Sequence, residues 1–167
     1  MSAYPTEHTW WSVEDGRQKT ALLHELALHG AMDDLCRGIA VKIVSGTRPN
    51  EHEERLTRIH RFVRSLSYHR EPCEMFQPVA QTLVEGGDCD DHVLAQAALA
   101  WALRYPFFVQ PVGNELDPSH YTCQLGFPES EHPWGGPETT WRFSETTPIM
   151  TPKGERWAPF GASWDTV

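Results

Sequence analysis

Apolar residues in the first part of the chain recur every three to four positions, the spacing of amphipathic helices. The pattern predicts one helix over residues 17–29, stopped by Gly30, and a second over residues 32–44. Asn50 is suited to cap a third helix, with Glu53 completing a capping box. The apolar stripes of the three helices are Leu22, Leu23, Leu26 and Leu28, then Leu35, Ile39 and Ile43, then Leu56, Ile59, Val63 and Leu66.

Residues 68–85 interrupt this helical pattern. The stretch contains Glu71-Pro72 and Gln77-Pro78, and a residue before proline disfavours the helical conformation. We therefore expect an extended linker, which ends at a Gly-Gly turn. The apolar run over residues 93–103 then predicts a helix that is buried on most faces.

Strand-like patterns follow that helix. Helices followed by an antiparallel meander are typical of an α+β fold, here one in which N-terminal helices and a central cysteine-bearing helix pack on a small sheet. We expect a single domain over residues 1–167, with a helical N-terminal extension over 1–48, a catalytic core over 50–148 and a wrapping tail over 149–167. The predicted strands are Phe107–Val112, His120–Leu125 and Thr139–Phe143, separated by turn-rich residues 113–118 and 127–137.

The amino-acid composition limits the classes of partner that this chain can bind. The chain has 167 residues, with 23 acidic against 14 basic ones and a formal charge of −9. Nucleic acid and anionic membrane surfaces are therefore poor partners, since both need clustered Lys and Arg. The 4 cysteines are scattered, residues 1–4 do not resemble a signal peptide, and no apolar run reaches the roughly 18 residues of a membrane span. We expect reduced thiols, a cytoplasmic location and no cofactor.

Candidate chemistry is concentrated at residues 85–92. Asp88 is a good N-cap, Asp91 can complete a capping box, and Cys89 then becomes the first residue of the central helix. A helix N-terminus stabilises a thiolate and can hold a developing oxyanion, but it supplies only about 0.3–1 kcal/mol. The neighbouring aspartates, including Asp90, act in the opposite direction and raise a thiol pKa. A nucleophilic Cys89 therefore needs a cationic partner from elsewhere in the chain.

A histidine on a predicted strand can supply that partner. Strand alternation places His120, Thr122 and Gln124 on one face and Tyr121, Cys123 and Leu125 on the other. On the next strand Trp141, Phe143 and Glu145 share a face. A thiol at a helix N-terminus, a histidine on a strand and a carboxyl group on its neighbour are the components of a Cys-His-acid triad.

These motifs resemble the transglutaminase-like superfamily of papain-fold cysteine enzymes. The resemblance rests on Gly87-Asp88-Cys89-Asp90-Asp91 before an Ala/Leu-rich helix, His120-Tyr121 on a strand, and Trp141 followed by an acidic residue and Thr-Thr-Pro. It covers residues 50–148 and is strongest to small bacterial and prophage members, through Phe62-Val63, Glu71-Pro72, Gln77-Pro78 and Thr82-Leu83.

The resemblance implies a papain-like fold and a role for each matching residue. Cys89 would be the nucleophile, His120 the general base and Glu145 the orienting acid, at a position where the family commonly has Asp. The backbone amide of Cys89 would be one oxyanion donor, and Gln77 or Gln81 is a candidate for a second. Asp88 and Trp134 are candidate substrate contacts, with the Trp134 loop a candidate rim of the groove. The implied activity is hydrolysis of a peptide or isopeptide bond in a protein, a peptide or a cell-wall peptide, with transglutaminase-type cross-linking as an alternative.

Different readings of the same residues remain open. Cys89-x-x-His92 and His120-x-x-Cys123 are two ligand pairs at zinc-like spacing, which suggests a non-catalytic zinc-binding or interaction module, although strand alternation turns His120 and Cys123 to opposite faces. A further alternative is that Cys89 is a small buried residue and His120 an ordinary hydrogen-bonded histidine; the Gly-Gly and acidic residues around Cys89 argue against it. His24-Glu25 with His29 is weaker, because a zinc-protease helix has its histidines four apart and these are five apart.

Overall fold

A computed structural model describes residues 15–70, 76–114, 116–128, 139–146, 149–150 and 156–157. Among these residues, no helix is both long and apolar enough to cross a bilayer. The helices are α1 (Gly16–Gly30), α2 (Asp34–Ile43), α3 (His52–Ser65), α4 (Val79–Glu85) and α5 (Cys89–Ala102). The strands are β1 (Phe107–Asn114), β2 (Asp117–Pro128), β3 (Thr139–Ser144), β4 (Ile149–Met150) and β5 (Arg156–Trp157).

The first three helices lie where the apolar spacing predicts them. Asp15 and Asp33 cap α1 and α2 through side-chain hydrogen bonds to the first backbone amides of each helix. The predicted cap of α3 is wrong. Its N-cap residue is Glu51 rather than Asn50, and no side chain caps the helix. The Glu51 carboxylate instead accepts a hydrogen bond from the backbone N–H of Arg48 at 2.7 Å.

Helix α4 corrects the prediction of an extended linker. It follows Pro78, the N-cap residue, where the missing N–H costs no helical hydrogen bond, and the Pro78 carbonyl accepts from the backbone amides of Gln81 and Thr82. One side of this short helix is buried, through Val79, Ala80, Thr82 and Leu83. That burial against the core explains why a helix forms here despite the local proline signal. Residues 71–75 of the predicted linker lie outside the described residues.

Helix α5 is the centre of the fold. Every residue from Asp90 to Ala100 is buried, as the apolar run predicts. The helix contacts α1, α2, α3 and α4 as well as β1 and β2. The side chains of α5 therefore contact residues from most of the described helices and from two strands of the sheet.

Strands β1, β2 and β3 form an antiparallel sheet in that order. Cys123 of β2 is opposite Val109 of β1 on one side and Ser144 of β3 on the other. Tyr121, Cys123 and Leu125 are buried, as the alternation predicts, and Thr122 on the opposite face is buried as well. The turn predicted over residues 113–118 is shorter than expected, since β1 and β2 stay paired up to Asn114 and Asp117.

The described residues therefore form an α+β fold with five helices and a three-stranded antiparallel sheet, as the sequence predicts. In the predicted tail, β4 and β5 pair as a separate two-stranded sheet. The rest of the tail and residues 1–14 lie outside the described residues.

Candidate active site

The turn before α5 sets the position of Cys89. Gly86 has a φ of 83°, in the left-handed region that favours glycine. A Cβ at Gly86 would lie 2.0 Å from the backbone oxygen of Ser67. That oxygen accepts a hydrogen bond from the backbone N–H of Gly87 at 3.0 Å. The two glycines thus let the turn pack directly against the chain that leaves α3.

A capping box starts α5, as predicted. The Asp88 side chain accepts hydrogen bonds from the backbone amides of Asp90 and Asp91, at 3.0 and 3.5 Å. The Asp91 side chain in turn accepts from the backbone N–H of Asp88 at 3.3 Å. The cap does not use the backbone amide of Cys89, which leaves this amide suited to hold an oxyanion at the positive end of the helix.

Asp91 also ties the helix start to the segment before α4. Its carboxylate, fully buried, accepts from the backbone N–H of Gln77 at 3.0 Å and from the Gln77 side-chain amide at 3.4 Å. The side-chain amide of Gln77 is therefore hydrogen-bonded to Asp91. Gln81 is exposed and donates to Glu85 within its own helix at 2.9 Å. The side-chain amides of both glutamines thus donate to carboxylates.

His120 and Glu145 form the hydrogen-bonded pair that a triad requires. His120 Nε2 lies 2.7 Å from Glu145 Oε2. The Glu145 side chain is 1% exposed and the His120 side chain 15%, so the acid is internal and the histidine reaches the surface. The longer Glu side chain, at a position where Asp was expected, still reaches the imidazole. An acid in this place fixes the orientation and tautomer of the histidine ring.

A buried polar network supports the end of β3, next to Glu145. Ser144 Oγ lies 2.8 Å from Nδ1 of His60 on α3 and accepts a hydrogen bond from the Gln96 amide on α5. Burial, followed by the charges of Arg64 and Arg61, lowers the pKa of His60 to about 4. A neutral imidazole can accept a hydrogen bond from the Ser144 hydroxyl. Gln96 then donates to Ser144, and Ser144 donates to His60. Sequence reasoning missed it, because each member alone resembles an ordinary core or surface residue.

The surroundings of the Cys89 sulfur favour the neutral thiol. Sγ donates to Oδ1 of Asp90 at 3.4 Å. Burial raises the pKa of Cys89 most, and the negative charges of Asp90 and Asp88 raise it further. A hydrogen bond from the backbone of Tyr121 acts in the opposite direction. The neighbouring aspartates thus raise the thiol pKa, as the sequence predicts. The hydrogen bond from Tyr121 also places the sulfur beside β2, at the residue that follows His120.

A lysine that sequence reasoning missed lies next to this cluster. Lys19 Nζ of α1 is 2.6 Å from Oδ2 of Asp90 and 4.9 Å from the centroid of the Tyr121 ring. Both charged side chains are largely buried, with 18% of Lys19 and 5% of Asp90 exposed. Lys19 precedes the fully buried Leu23 by one helical turn. A charge on the apolar stripe was the signal that could have identified it.

The structure does not bring the alternative zinc ligands together. Cys123 is fully buried in the core, and His92 Nε2 lies 3.4 Å from the backbone oxygen of Ser67. Within the described part of the chain, the group of potential ligands close enough to share an ion is Asp88, Cys89 and Asp90, with ligand atoms within 4.8 Å of one another. The Lys19 ammonium already pairs with one of these carboxylates.

Several other candidate residues have structural roles or fall outside the described residues. The His24 ring packs on Phe107, with centroids 4.8 Å apart, rather than pairing with His29. Trp134 lies outside the described residues. Of the cysteines that the structure describes, Cys36, Cys89 and Cys123 are free thiols. Burial, followed by the charge of Asp33, raises the pKa of Cys36 to about 12, so Cys36 is an unreactive core residue.

Comparison of the chain with protein-family models, curated proteins and solved structures found no match. The site combines a thiol at a helix N-terminus with a histidine-carboxylate pair on the adjoining sheet, the components of a cysteine-dependent acyl-transfer centre.

Proposed function

We propose that this protein is a cysteine-dependent acyl-transfer enzyme of the transglutaminase-like, papain-fold type, and that it hydrolyses an amide bond of a peptide or isopeptide. The observation that carries the proposal is the 2.7 Å pair of His120, on β2, and buried Glu145, directly after β3, together with the hydrogen bond between the Cys89 sulfur and the backbone of Tyr121, the residue after His120. A buried carboxylate that orients a partly exposed histidine beside a thiol is an arrangement suited to nucleophilic catalysis.

In the proposed first step His120 acts as general base. Its Nε2–H donates to Glu145, which leaves the Nδ1 lone pair free to accept the Cys89 thiol proton. Because the raised pKa of Cys89 keeps the resting sulfur protonated, this transfer accompanies the attack on the carbonyl carbon. A C–S bond forms and the carbonyl becomes an oxyanion, which the backbone N–H of Cys89 holds. The C–N bond then breaks, and His120 returns its proton to the leaving amine.

The second step releases the acyl group. A water molecule attacks the thioester while His120 Nδ1 takes one of its protons. The C–S bond breaks, a carboxylic acid leaves, and the proton on His120 restores the Cys89 thiol. If an amine replaces water, the same steps give an amide, which is the cross-linking version of the reaction.

Acylation by an activated ester tests the proposal without knowledge of the natural substrate. With p-nitrophenyl acetate we expect a burst of nitrophenol equal to the enzyme concentration, and an acetyl adduct on Cys89 in peptide mass spectrometry. Cys89→Ala and His120→Ala should abolish the burst. Cys36→Ala, which removes a buried thiol of α2, should retain it.

The result that defeats the proposal is acetylation of Cys89 at the same rate in wild type and His120→Ala, because an unassisted thiol needs no histidine. Glycine methyl ester, added after the burst, separates the two versions of the reaction. Hydrolysis leaves the ester unmodified, whereas cross-linking yields the acetylated amine.

A further inference from the structure

Asp90 joins the Cys89 sulfur to a buried cation. One oxygen of its carboxylate, Oδ1, accepts from Sγ at 3.4 Å, and the other, Oδ2, lies 2.6 Å from Lys19 Nζ. The Lys19 ammonium also stands over two aromatic rings, 4.9 Å from the centroid of Tyr121 and 5.5 Å from that of Phe76. A lysine held by a carboxylate and two rings, with 18% of its side chain exposed, has a defined position.

We propose that Lys19 is a positioning residue for Cys89: it fixes the Asp90 carboxylate and offsets its negative charge, so that the Cys89 thiol can give up its proton. The catalytic meaning of this role rests on the proposed function. The electrostatic effect on the sulfur is independent of it, since it requires only the three side chains.

Charge balance around the sulfur explains why such a cation is needed. Asp88 and Asp90, at the start of α5, and the backbone of Tyr121 on β2 act directly on the Cys89 sulfur. Tyr68, after α3, interacts with it electrostatically, and Lys19 of α1 reaches it through Asp90. His120 is the residue before Tyr121. Asp88 and Asp90 oppose the thiolate. Burial, followed by the charge of the Cys89 thiolate, raises the pKa of Tyr68. Lys19 contacts one of these carboxylates, so its removal takes a positive charge away from Asp90, beside the sulfur.

The test is the rate constant for iodoacetamide alkylation of Cys89 at pH 8, read by peptide mass spectrometry on the full chain. Loss of a positive charge close to a thiolate raises the pKa of the thiol by about one unit or more, which lowers the thiolate fraction about tenfold. We expect Lys19→Met to slow alkylation about tenfold and Lys19→Arg to restore it to within about threefold of wild type. Asp90→Asn should accelerate it. Lys42→Met, the same change at an exposed lysine of α2, should have no effect.

The direction of the change separates this role from a merely structural one. A variant that only loosened the packing would expose the sulfur and speed its alkylation, whereas loss of the proposed offset slows it. An unchanged or faster rate in Lys19→Met would overturn the proposal. If Lys19→Met does not fold, the neutral pair Lys19→Met with Asp90→Asn replaces it. Its rate should be within about threefold of wild type, and a rate more than about tenfold faster would show that Lys19 does not offset Asp90.

The outcome is distinguishable from failure of the proposed function. Slower alkylation in Lys19→Met, together with an acetylation burst that His120→Ala leaves intact, would support the lysine's role and reject the triad. A His120-dependent burst with no alkylation effect in Lys19→Met would support the triad and reject the role of Lys19.

Discussion

His120 Nε2 on β2 lies 2.7 Å from Oε2 of Glu145, the residue directly after β3. Antiparallel pairing of the two strands, with Cys123 opposite Ser144, brings these positions close although they are 25 residues apart. A hydrogen bond from an imidazole to a buried carboxylate is charge-assisted and short. The sheet therefore orients a histidine that directly precedes Tyr121, whose backbone contacts the Cys89 sulfur.

Glu145→Gln should lower the rate of the acetylation burst by roughly 100-fold. The amide keeps the volume of the buried acid, but it removes the charge that stabilises the imidazolium and fixes its tautomer. The control is Glu53→Gln, which removes the charge of an exposed glutamate that pairs with Arg142 at 2.9 Å. Equal bursts in the two variants would mean that Glu145 is not the orienting acid.

Gly87→Ala should lower the free energy of unfolding by at least about 2 kcal/mol. A Cβ at Gly87 would lie 2.4 Å from Oδ2 and 2.5 Å from Cβ of Asp91, so Asp91 must move and its buried hydrogen bonds must break. Gly38→Ala is the matched control, since no atom lies within 4 Å of the added Cβ in the middle of α2. There we expect a gain of about 0.5–1 kcal/mol. Urea denaturation measures both, and similar values would contradict the packing of this turn.

His60 should make the protein less stable in mild acid. The pKa of His60 is lowered from 6.5 to about 4, so the unfolded chain binds a proton here that the folded chain refuses. The contribution of neutral His60 to the free energy of unfolding is therefore present above pH 6.5 and is lost as the pH falls from 6.5 towards 4, by about 3 kcal/mol in all.

Urea denaturation of wild type and His60→Gln at several values of pH measures this contribution. Burial also lowers the pKa values of His52 and His92, which act in the same direction in both proteins. The difference between the two proteins should therefore shrink as the pH falls from 6.5 towards 4. A constant difference would show that His60 is not a buried neutral histidine.

Ser144→Ala should cost about 2 kcal/mol of unfolding free energy, because it removes the hydroxyl that both His60 and Gln96 use and leaves buried polar atoms unsatisfied. The acetylation burst should also slow, since Glu145 follows directly in the chain. Ser65→Ala is the control: its hydroxyl is exposed at the end of α3 and donates to the backbone of Phe62 at 2.6 Å. A stability loss without any effect on the burst would separate the network from the candidate site.

Several parts of this fold follow from local patterns. Apolar spacing locates α1, α2 and α3, and period-two alternation identifies which residues of β2 enter the core. The capping box of Asp88 and Asp91 is likewise readable, because a cap involves residues three positions apart. By contrast, α4 was missed, since burial of one face outweighed the signal of Pro78.

By itself the sequence determined the helical first part, the antiparallel meander and a cysteine at the start of a capped, buried helix, since each depends on residues within a few positions of one another. Only the tertiary structure decided which polar side chains meet. The pairing of Lys19 with Asp90, and of Ser144 with His60 and Gln96, joins residues on different elements. The packing of whole helices against the sheet sets such contacts, and no local preference of the chain encodes that packing.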